Sequence, residues 1–293
     1  MIMTDAFSKC HPAVNFLFFA GAIGCSVVIQ HPAYLLAEIV TGLVYYLLLN
    51  GRKAYKMLLG MLLMFVALTA INPLFNTYGE TTLFCIFTRP YTLEALCHGA
   101  AIAAVFLTMM LWFGCYNAVM TSDKFTSLFG NVIPALSLLL VMVLRLIPSF
   151  MRKAAQITGA RKSIGKGAGE GSATREKLTD GMLVLSSLTD WALEGSVVTG
   201  DSMRARGYGA AKRSSFMIYR MTATDWLLLA CMLILLMLVM IAACLNQMAA
   251  TYTPAFEITP ISLWIFPYTA YFLIPIALHT KEAIQWNISR SKI

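Results

Sequence analysis

Residues 226 to 245 read WLLLACMLILLMLVMIAACL and contain no charged side chain. Twenty helical residues extend about 30 Å, which matches the hydrocarbon core of a lipid bilayer. The rest of the chain has the same character, because 59% of its 293 residues are hydrophobic and 12% are charged. A soluble domain carries about 25% charged residues. The sequence therefore predicts an all-α membrane protein.

Other apolar runs bring the predicted number of transmembrane helices to about six. They cover residues 13–29, 34–49, 57–71, 97–120 and 261–278. Positive charge marks the cytoplasmic side of a membrane protein, and the first basic cluster lies at residues 51–56. This places both termini in the cytoplasm and residues 72–93 outside. All other basic clusters agree with this topology, provided that residues 121–225 do not cross the membrane an odd number of times.

A basic region separates the fourth span from the fifth. Between Arg145 and Asp225 the chain has 13 Lys and Arg residues against 7 Asp and Glu, and this excess supplies most of the net charge of +8. Nucleic acid is not an expected partner, since the basic residues lie between apolar spans. The chain is thus predicted to have three segments. They are spans 1–4 in residues 1–120, a cytoplasmic region in 121–225, and the last two spans with a cytoplasmic tail in 226–293.

The cytoplasmic region is predicted to contain two to three helices, at residues 131–146, 149–161 and 179–206. The first is apolar but short for a membrane span. It either crosses the bilayer or lies in its interface or against other cytoplasmic helices. Crossing would move the following Lys and Arg residues outside, so the charge pattern favours the second interpretation.

A glycine-rich linker is predicted at residues 162–172. Its glycines and Lys166 suggest a phosphate-binding loop, but that loop needs four residues before a Gly-Lys pair and a following Ser or Thr. Five residues separate Gly159 from Gly165, and Gly167 follows Lys166. Nucleotide binding by this chain is not expected, and no cofactor is predicted.

Two short motifs occupy predicted helix ends, Ala160-Arg161-Lys162 and Ala205-Arg206-Gly207. Arginine is favoured at a helix C-terminus, where unpaired carbonyls carry partial negative charge. Gly207 can end a helix in the left-handed conformation. Each motif alone therefore indicates no more than a good helix cap.

Taken together in a membrane protein, the two motifs resemble the transmembrane T component of energy-coupling factor (ECF) transporters, the EcfT/CbiQ family. That family has two cytoplasmic coupling helices, each ending in Ala-Arg-Gly. The second motif is complete here, while the first has Lys162 in place of glycine. Segments 144–148, 154–156 and 121–123 are also similar to the family.

The resemblance implies a non-catalytic subunit of an ATP-driven importer in a bacterial or archaeal cell membrane. Two ABC ATPase subunits would each receive one coupling helix, with Arg161 and Arg206 pairing with acidic residues there. A separate membrane S component would bind the substrate, a vitamin or a transition-metal ion. Movement of the ATPases would reorient that S component in the bilayer.

Three other classes are alternatives to this one. A conventional ABC importer permease has an ATPase-binding loop of the form E-A-A-x-x-x-G. Residues 153–159 read KAAQITG and match except at the first position, but the second motif would then be unexplained. A membrane enzyme needs a cluster of ionisable residues in the bilayer. Its candidates, Glu38, Glu94, His98 and Asp225, all lie at predicted span ends, where solvation is expected. The third alternative is a channel or a self-sufficient transporter, and the expected absence of buried charge in the spans argues against a proton- or ion-coupled mechanism.

Overall fold

The structure is a computed structural model of the full chain. It describes residues 6–51, 54–76, 81–86, 89–129, 134–167, 173–210, 219–252 and 257–290.

The described chain is almost entirely helical, with two short β-hairpins. Its helices are α1 (Ala6–Lys9), α2 (Pro12–Val28), α3 (Pro32–Asn50), α4 (Ala54–Phe75), α5 (Leu93–Val119), α6 (Ser122–Phe129), α7 (Pro134–Ser163), α8 (Thr174–Ala205), α9 (Ala223–Cys244) and α10 (Ile265–Arg290). Strands β1 (Thr82–Ile86) and β2 (Arg89–Thr92) pair antiparallel, as do β3 (Ala250–Thr251) and β4 (Glu257–Ile258). The contacts divide the chain into two units, Met1–Phe125 with Tyr219–Ile293, and Thr126–Ile218.

Four helices of the described chain, α3, α4, α5 and α9, are long and apolar enough to cross a membrane. The expectation of an all-α membrane protein is confirmed at this level. The first predicted span corresponds to α2, an apolar helix of 17 residues. The last corresponds to the first half of α10, which continues as a helix through Lys281 to Arg290. Much of the predicted tail is therefore helical.

An aromatic core holds the first unit together. Phe18 of α2, Trp112 of α5 and Phe272 of α10 are all less than 2% exposed. The ring of Trp112 lies 5.6 Å from that of Phe18 and 5.2 Å from that of Phe272, measured between centroids. These contacts fix α2, α5 and α10 against one another through large apolar surfaces.

Two helices of this unit begin with the same tripeptide, His-Pro-Ala, at residues 11–13 and 31–33. In each, the histidine is the N-cap and its Nδ1 accepts a hydrogen bond of 3.2 Å from the alanine amide. Proline suits the first helical position because its fixed φ is helical and its missing N–H would be unpaired there. His31 also contacts the carbonyl of Thr259 through Nε2, at 3.0 Å. The start of α3 is thereby anchored to the connection between α9 and α10.

Glu38 differs from the prediction. The sequence places it at a span end, where solvation is easy, but it lies inside α3 and is completely buried. The prediction that Glu38 is easily solvated is therefore wrong. Asp225 is buried as well, in the first turn of α9, where it forms a capping box with Thr222.

The second unit differs from the predicted helix pattern in two ways. The pieces at 131–146 and 149–161 form one helix from residue 134 onward, because α7 continues through Pro148. Proline removes one backbone hydrogen bond, but its φ is compatible with a helix, so it need not end one. The third piece begins at Thr174 instead of residue 179. Residues 130–133, and residues 168–172 of the predicted linker, lie outside the described parts of the chain.

Candidate functional site

Helices α7 and α8 pack antiparallel along one seam. The Phe150 and Trp191 rings meet edge to face with centroids 5.5 Å apart, and Lys153 Nζ lies 5.8 Å from the Trp191 ring centroid. Arg161 and Asp180 form the next described contact along the seam. Arg161 comes eleven positions after Phe150 in the chain, and Trp191 comes eleven positions after Asp180. Because eleven residues make about three helical turns, each helix presents one face to the other.

Arg161, the first predicted coupling residue, is bonded within the chain. Its Nε donates a 2.6 Å hydrogen bond to Asp180 Oδ1, and Nη2 lies 2.6 Å from the same oxygen. Nη2 also donates to the carbonyl oxygen of Lys166 at 3.2 Å. The Arg161 and Asp180 side chains are 22% and 14% exposed. The Arg161 guanidinium thus links α8 to the turn that follows α7.

The end of α7 lies further along the chain than the prediction, which ends the helix at Arg161. The helix continues through Lys162 to Ser163. The amide of Gly165 then donates to the carbonyl of Lys162 at 3.1 Å, and the amide of Lys166 donates to that of Arg161 at 3.0 Å. With φ at 71° for Gly165, these two bonds form a Schellman motif. The Ala-Arg-Gly motif would place a capping glycine at position 162, where this chain has Lys162. The glycine that caps α7 is instead Gly165, three positions later.

The end of α8 lies where the second motif predicts it. The helix ends at Ala205, Arg206 is the C-cap, and Gly207 has a φ of 80°. The amide of Gly207 donates to the carbonyl of Arg204 at 2.9 Å, and the amide of Tyr208 donates to that of Met203 at 3.0 Å. This is the same Schellman motif as at the end of α7.

The two arginines occupy different positions relative to their caps. Arg206 is the capping residue itself, whereas the corresponding residue of α7 is Ile164, and Arg161 lies three residues earlier. Arg206 is exposed, and its side chain has no polar partner among the described residues. Among the described residues, Arg161 is therefore held by Asp180, whereas Arg206 is exposed.

The structure does not bring the two motifs together. Arg161 contacts Asp180 near the start of α8, and Arg206 lies 26 residues further along that helix. At 1.5 Å per residue the two arginines are separated by about 39 Å along the α8 axis. Any partner contacting both would have to span the length of the hairpin.

An exposed apolar stripe follows α8 between these ends. Its members are each more than 60% exposed: Leu178, Met182, Leu185, Leu193 and Val197. At 100° per residue they lie on the side of α8 opposite Asp180 and Trp191. Lys177 and Gly181 complete a shallow groove around the first three. Within the described residues α8 has no buried side chain, so its packing against α7 leaves most of its surface open.

The segment that resembles a permease loop is not a loop here. Residues 153–159 lie in the C-terminal half of helix α7, with Lys153 over the Trp191 ring. Ala154, Ile157 and Thr158 are half-buried on the side that faces α8.

No protein-family model matches the chain, and no curated protein matches it. In the described ranges no group of three or more His, Cys, Asp or Glu side chains is arranged to hold a metal ion. The site offers charge, helix ends and apolar surface, which are means of binding another protein.

Two residues that shape the hairpin, Gly165 and Asp180, are missed by sequence reasoning. Gly165 falls in the predicted flexible linker, although a glycine shortly after a helix with basic last-turn residues is the usual signal of a C-cap. Asp180 has no predicted role. Its partner lies 19 residues away on another helix, and helical periodicity alone does not reveal such a pairing.

Proposed function

We propose that this chain is the T subunit of an ECF-type ABC importer, a non-catalytic membrane subunit that transmits ATP-driven motion. In this proposal two partner ATPases bind the α7–α8 hairpin, and a separate membrane S component binds a vitamin or a metal ion. Both chain termini and the hairpin lie on the cytoplasmic side of a bacterial or archaeal cell membrane.

The observation that carries the proposal is the separation of the two arginine-bearing helix ends. They lie at opposite ends of one hairpin, about 39 Å apart by helical rise. Two subunits can therefore contact the hairpin side by side without competing for one site. A single binding loop, as in a conventional permease chain, would need only one such end.

The Arg206 end is suited to direct docking. Its guanidinium is exposed, and the Schellman motif at Gly207 fixes the backbone that presents it. Arginine remains charged at any physiological pH and can hold a carboxylate through two parallel hydrogen bonds. A helix end with exposed Tyr208 beside it offers apolar contact around that charged pair.

The Arg161 end would work differently. To pair with an acidic residue of an ATPase, Arg161 would have to exchange Asp180 for the new carboxylate or share its guanidinium between them. The two ends of the hairpin therefore differ. In this proposal the ATPase at Arg206 binds without any rearrangement of the hairpin, whereas the ATPase at Arg161 requires one. The stripe on α8 supplies apolar surface for the same partners, since exposed patches of this kind mark protein interfaces.

The test is the subunit composition of the native complex. We expect the tagged chain, purified from its own membranes in mild detergent, to carry two ATPase subunits and one additional small membrane protein. Recovery of a second large permease and a soluble binding protein would support the conventional importer instead. A chain that purifies alone, with the Arg206 end intact, would contradict both.

A further inference from the structure

Glu38 lies in the second turn of α3, and none of its surface is exposed. Ser26 of α2 and Tyr268 of α10 contact its two carboxyl oxygens. Both of these side chains are themselves fully buried. The consecutive helices α2 and α3 therefore meet the distant helix α10 at one carboxyl group in the apolar part of the protein.

The number of hydrogen atoms carried by Glu38, Ser26 and Tyr268 determines which hydrogen bonds around Glu38 can form at the same time. Ser26 Oγ lies 3.0 Å from the carbonyl of Ala22, one turn earlier in α2, and also contacts Glu38 Oε1. The Tyr268 hydroxyl donates to Glu38 Oε2 at 2.8 Å. A serine hydroxyl has a single hydrogen, so Ser26 can donate to only one of its two neighbours.

A neutral carboxyl satisfies every one of these contacts. Glu38 then donates from Oε1 to Ser26 Oγ, Ser26 donates to the Ala22 carbonyl, and Tyr268 donates to Oε2. With an ionised carboxylate, Ser26 must turn to Glu38 and its contact with Ala22 becomes an unbonded oxygen pair. The complete set of bonds thus includes one proton on the carboxyl group.

The surroundings of Glu38 supply no positive charge. In the described part of the chain, no Lys, Arg or His side chain forms an ion pair with it. The titratable groups that face it are Cys25 from α2 and Tyr268 from α10, with Tyr34 of its own helix against the Tyr268 ring. All three are acids, and an ionised carboxylate without a cation is costly inside a membrane.

We propose that Glu38, Ser26 and Tyr268 form a proton-binding site, and that its proton holds α2, α3 and α10 together. When the proton leaves for water, the carboxylate requires solvation, so the three helices must separate or admit water. This site is independent of the two arginine motifs and of the proposed partners.

Infrared spectroscopy of the wild-type chain in lipid tests the protonation directly. We expect a carbonyl stretch of a buried, protonated carboxyl that shifts on Tyr268→Phe, because that substitution removes a hydrogen bond to Glu38 Oε2. The band must disappear in Glu38→Gln and persist in Glu94→Gln. A wild-type spectrum with no such band at neutral pH would overturn the proposal.

A second test uses the pH dependence of stability. Free glutamate ionises at about pH 4.3, so a folded state that keeps its proton above this pH loses stability as pH rises. The unfolding equilibrium constant should rise by up to about tenfold per pH unit for the one proton released. Unfolding is measured on heating by the exposure of the two buried thiols, Cys25 and Cys115.

Glu38→Gln should remove that pH-dependent component, because an amide can donate to Ser26 and accept from Tyr268 at any pH. Glu94→Gln should retain it. An unchanged slope in Glu38→Gln would contradict the proposal. A second result would also contradict it. If sodium chloride but not choline chloride raised the unfolding midpoint of the wild-type chain at basic pH, Glu38 would hold a metal cation and not a proton.

Discussion

Tyr271 and Phe18 are joined in two ways. The Tyr271 hydroxyl donates a 2.9 Å hydrogen bond to the Phe18 carbonyl, and the two rings stack with centroids 5.1 Å apart. The contact joins the last helix of the chain, α10, to the first long one, α2. It also requires space on α2, because a Cβ at Gly21 would collide with the Tyr271 hydroxyl.

We therefore predict that Gly21→Ala destabilises the first unit by about 1–3 kcal/mol, the usual effect of overpacking a filled core. Tyr271 is 2% exposed, and moving its hydroxyl away would break the buried hydrogen bond to Phe18. Gly24→Ala is the matched control, since a Cβ there meets nothing within 4 Å. Helical Ala is better than Gly by about 0.5–1 kcal/mol, so the control should be neutral or stabilising. Thermal unfolding in detergent measures both, and equal midpoints would refute the prediction.

The second prediction concerns Arg206. If it pairs with a buried carboxylate of an ATPase, Arg206→Ala should weaken ATPase binding by about 2–5 kcal/mol, which is about 30-fold or more in Kd. Membrane insertion should be unaffected, because Arg206 is exposed and has no polar side-chain partner among the described residues. Binding of the purified ATPases to the chain in lipid nanodiscs provides the measurement.

Arg204→Ala is the control for charge alone, since Arg204 is exposed on the same last turn. A loss limited to Arg206→Ala supports a specific pair. Equal losses in both variants would mean that general positive charge, and not the capping arginine, attracts the partner.

The third prediction concerns the cap of α8. Gly207 has a φ of 80°, and a side chain in the left-handed region costs about 1–2 kcal/mol. Gly207→Ala should therefore fray the last turn and raise amide hydrogen exchange at residues 203–208. Gly195→Ala lies in the interior of the same helix, where a Cβ meets nothing within 4 Å, and it should slow exchange. If the two variants exchange alike, the cap does not fix this end.

The fourth prediction separates the structural role of Arg161 from docking. Arg161→Ala removes the charged hydrogen bond between Arg161 and Asp180 and should destabilise the hairpin by about 1.5–3 kcal/mol, the range for hydrogen bonds to charged groups. Faster proteolysis between α7 and α8 would report it. Arg175→Ala, an exposed basic residue in the first turn of α8, is the control and should leave proteolysis unchanged.

Exchanging the two charges, Arg161→Asp together with Asp180→Arg, should restore protease resistance. If Arg161 also binds an ATPase, the exchanged chain remains folded but binds less of that partner. If protease resistance and ATPase binding both recovered fully, the role of Arg161 would be only to hold the hairpin together.

Apolar length predicts the helices of the first unit well, because an uncharged run of about twenty residues has the length and composition of a membrane-spanning helix. The helix ends are harder to predict. Pro148 indicates a break between two helices, but a proline costs one hydrogen bond and does not by itself end a helix. The glycine that caps α7 stands within a glycine-rich segment, where composition masks its role.

Side-chain pairing across helices could not be predicted. Glu38 meets Tyr268, which is 230 residues away, and Arg161 meets Asp180 on a separate helix. Neither pair leaves a periodic signal within its own helix. The Ala205-Arg206-Gly207 end could be predicted because a helix cap is determined by neighbouring residues alone.

The apolar stripe of α8 has a consequence for the life of the protein in the cell. If the proposed partners cover this stripe, a copy of the chain that reaches the membrane without them presents the stripe to chaperones and proteases, which act on exposed apolar segments. Its cellular abundance should then follow the supply of the proteins that cover it, so that excess copies are degraded and stoichiometry is maintained after synthesis.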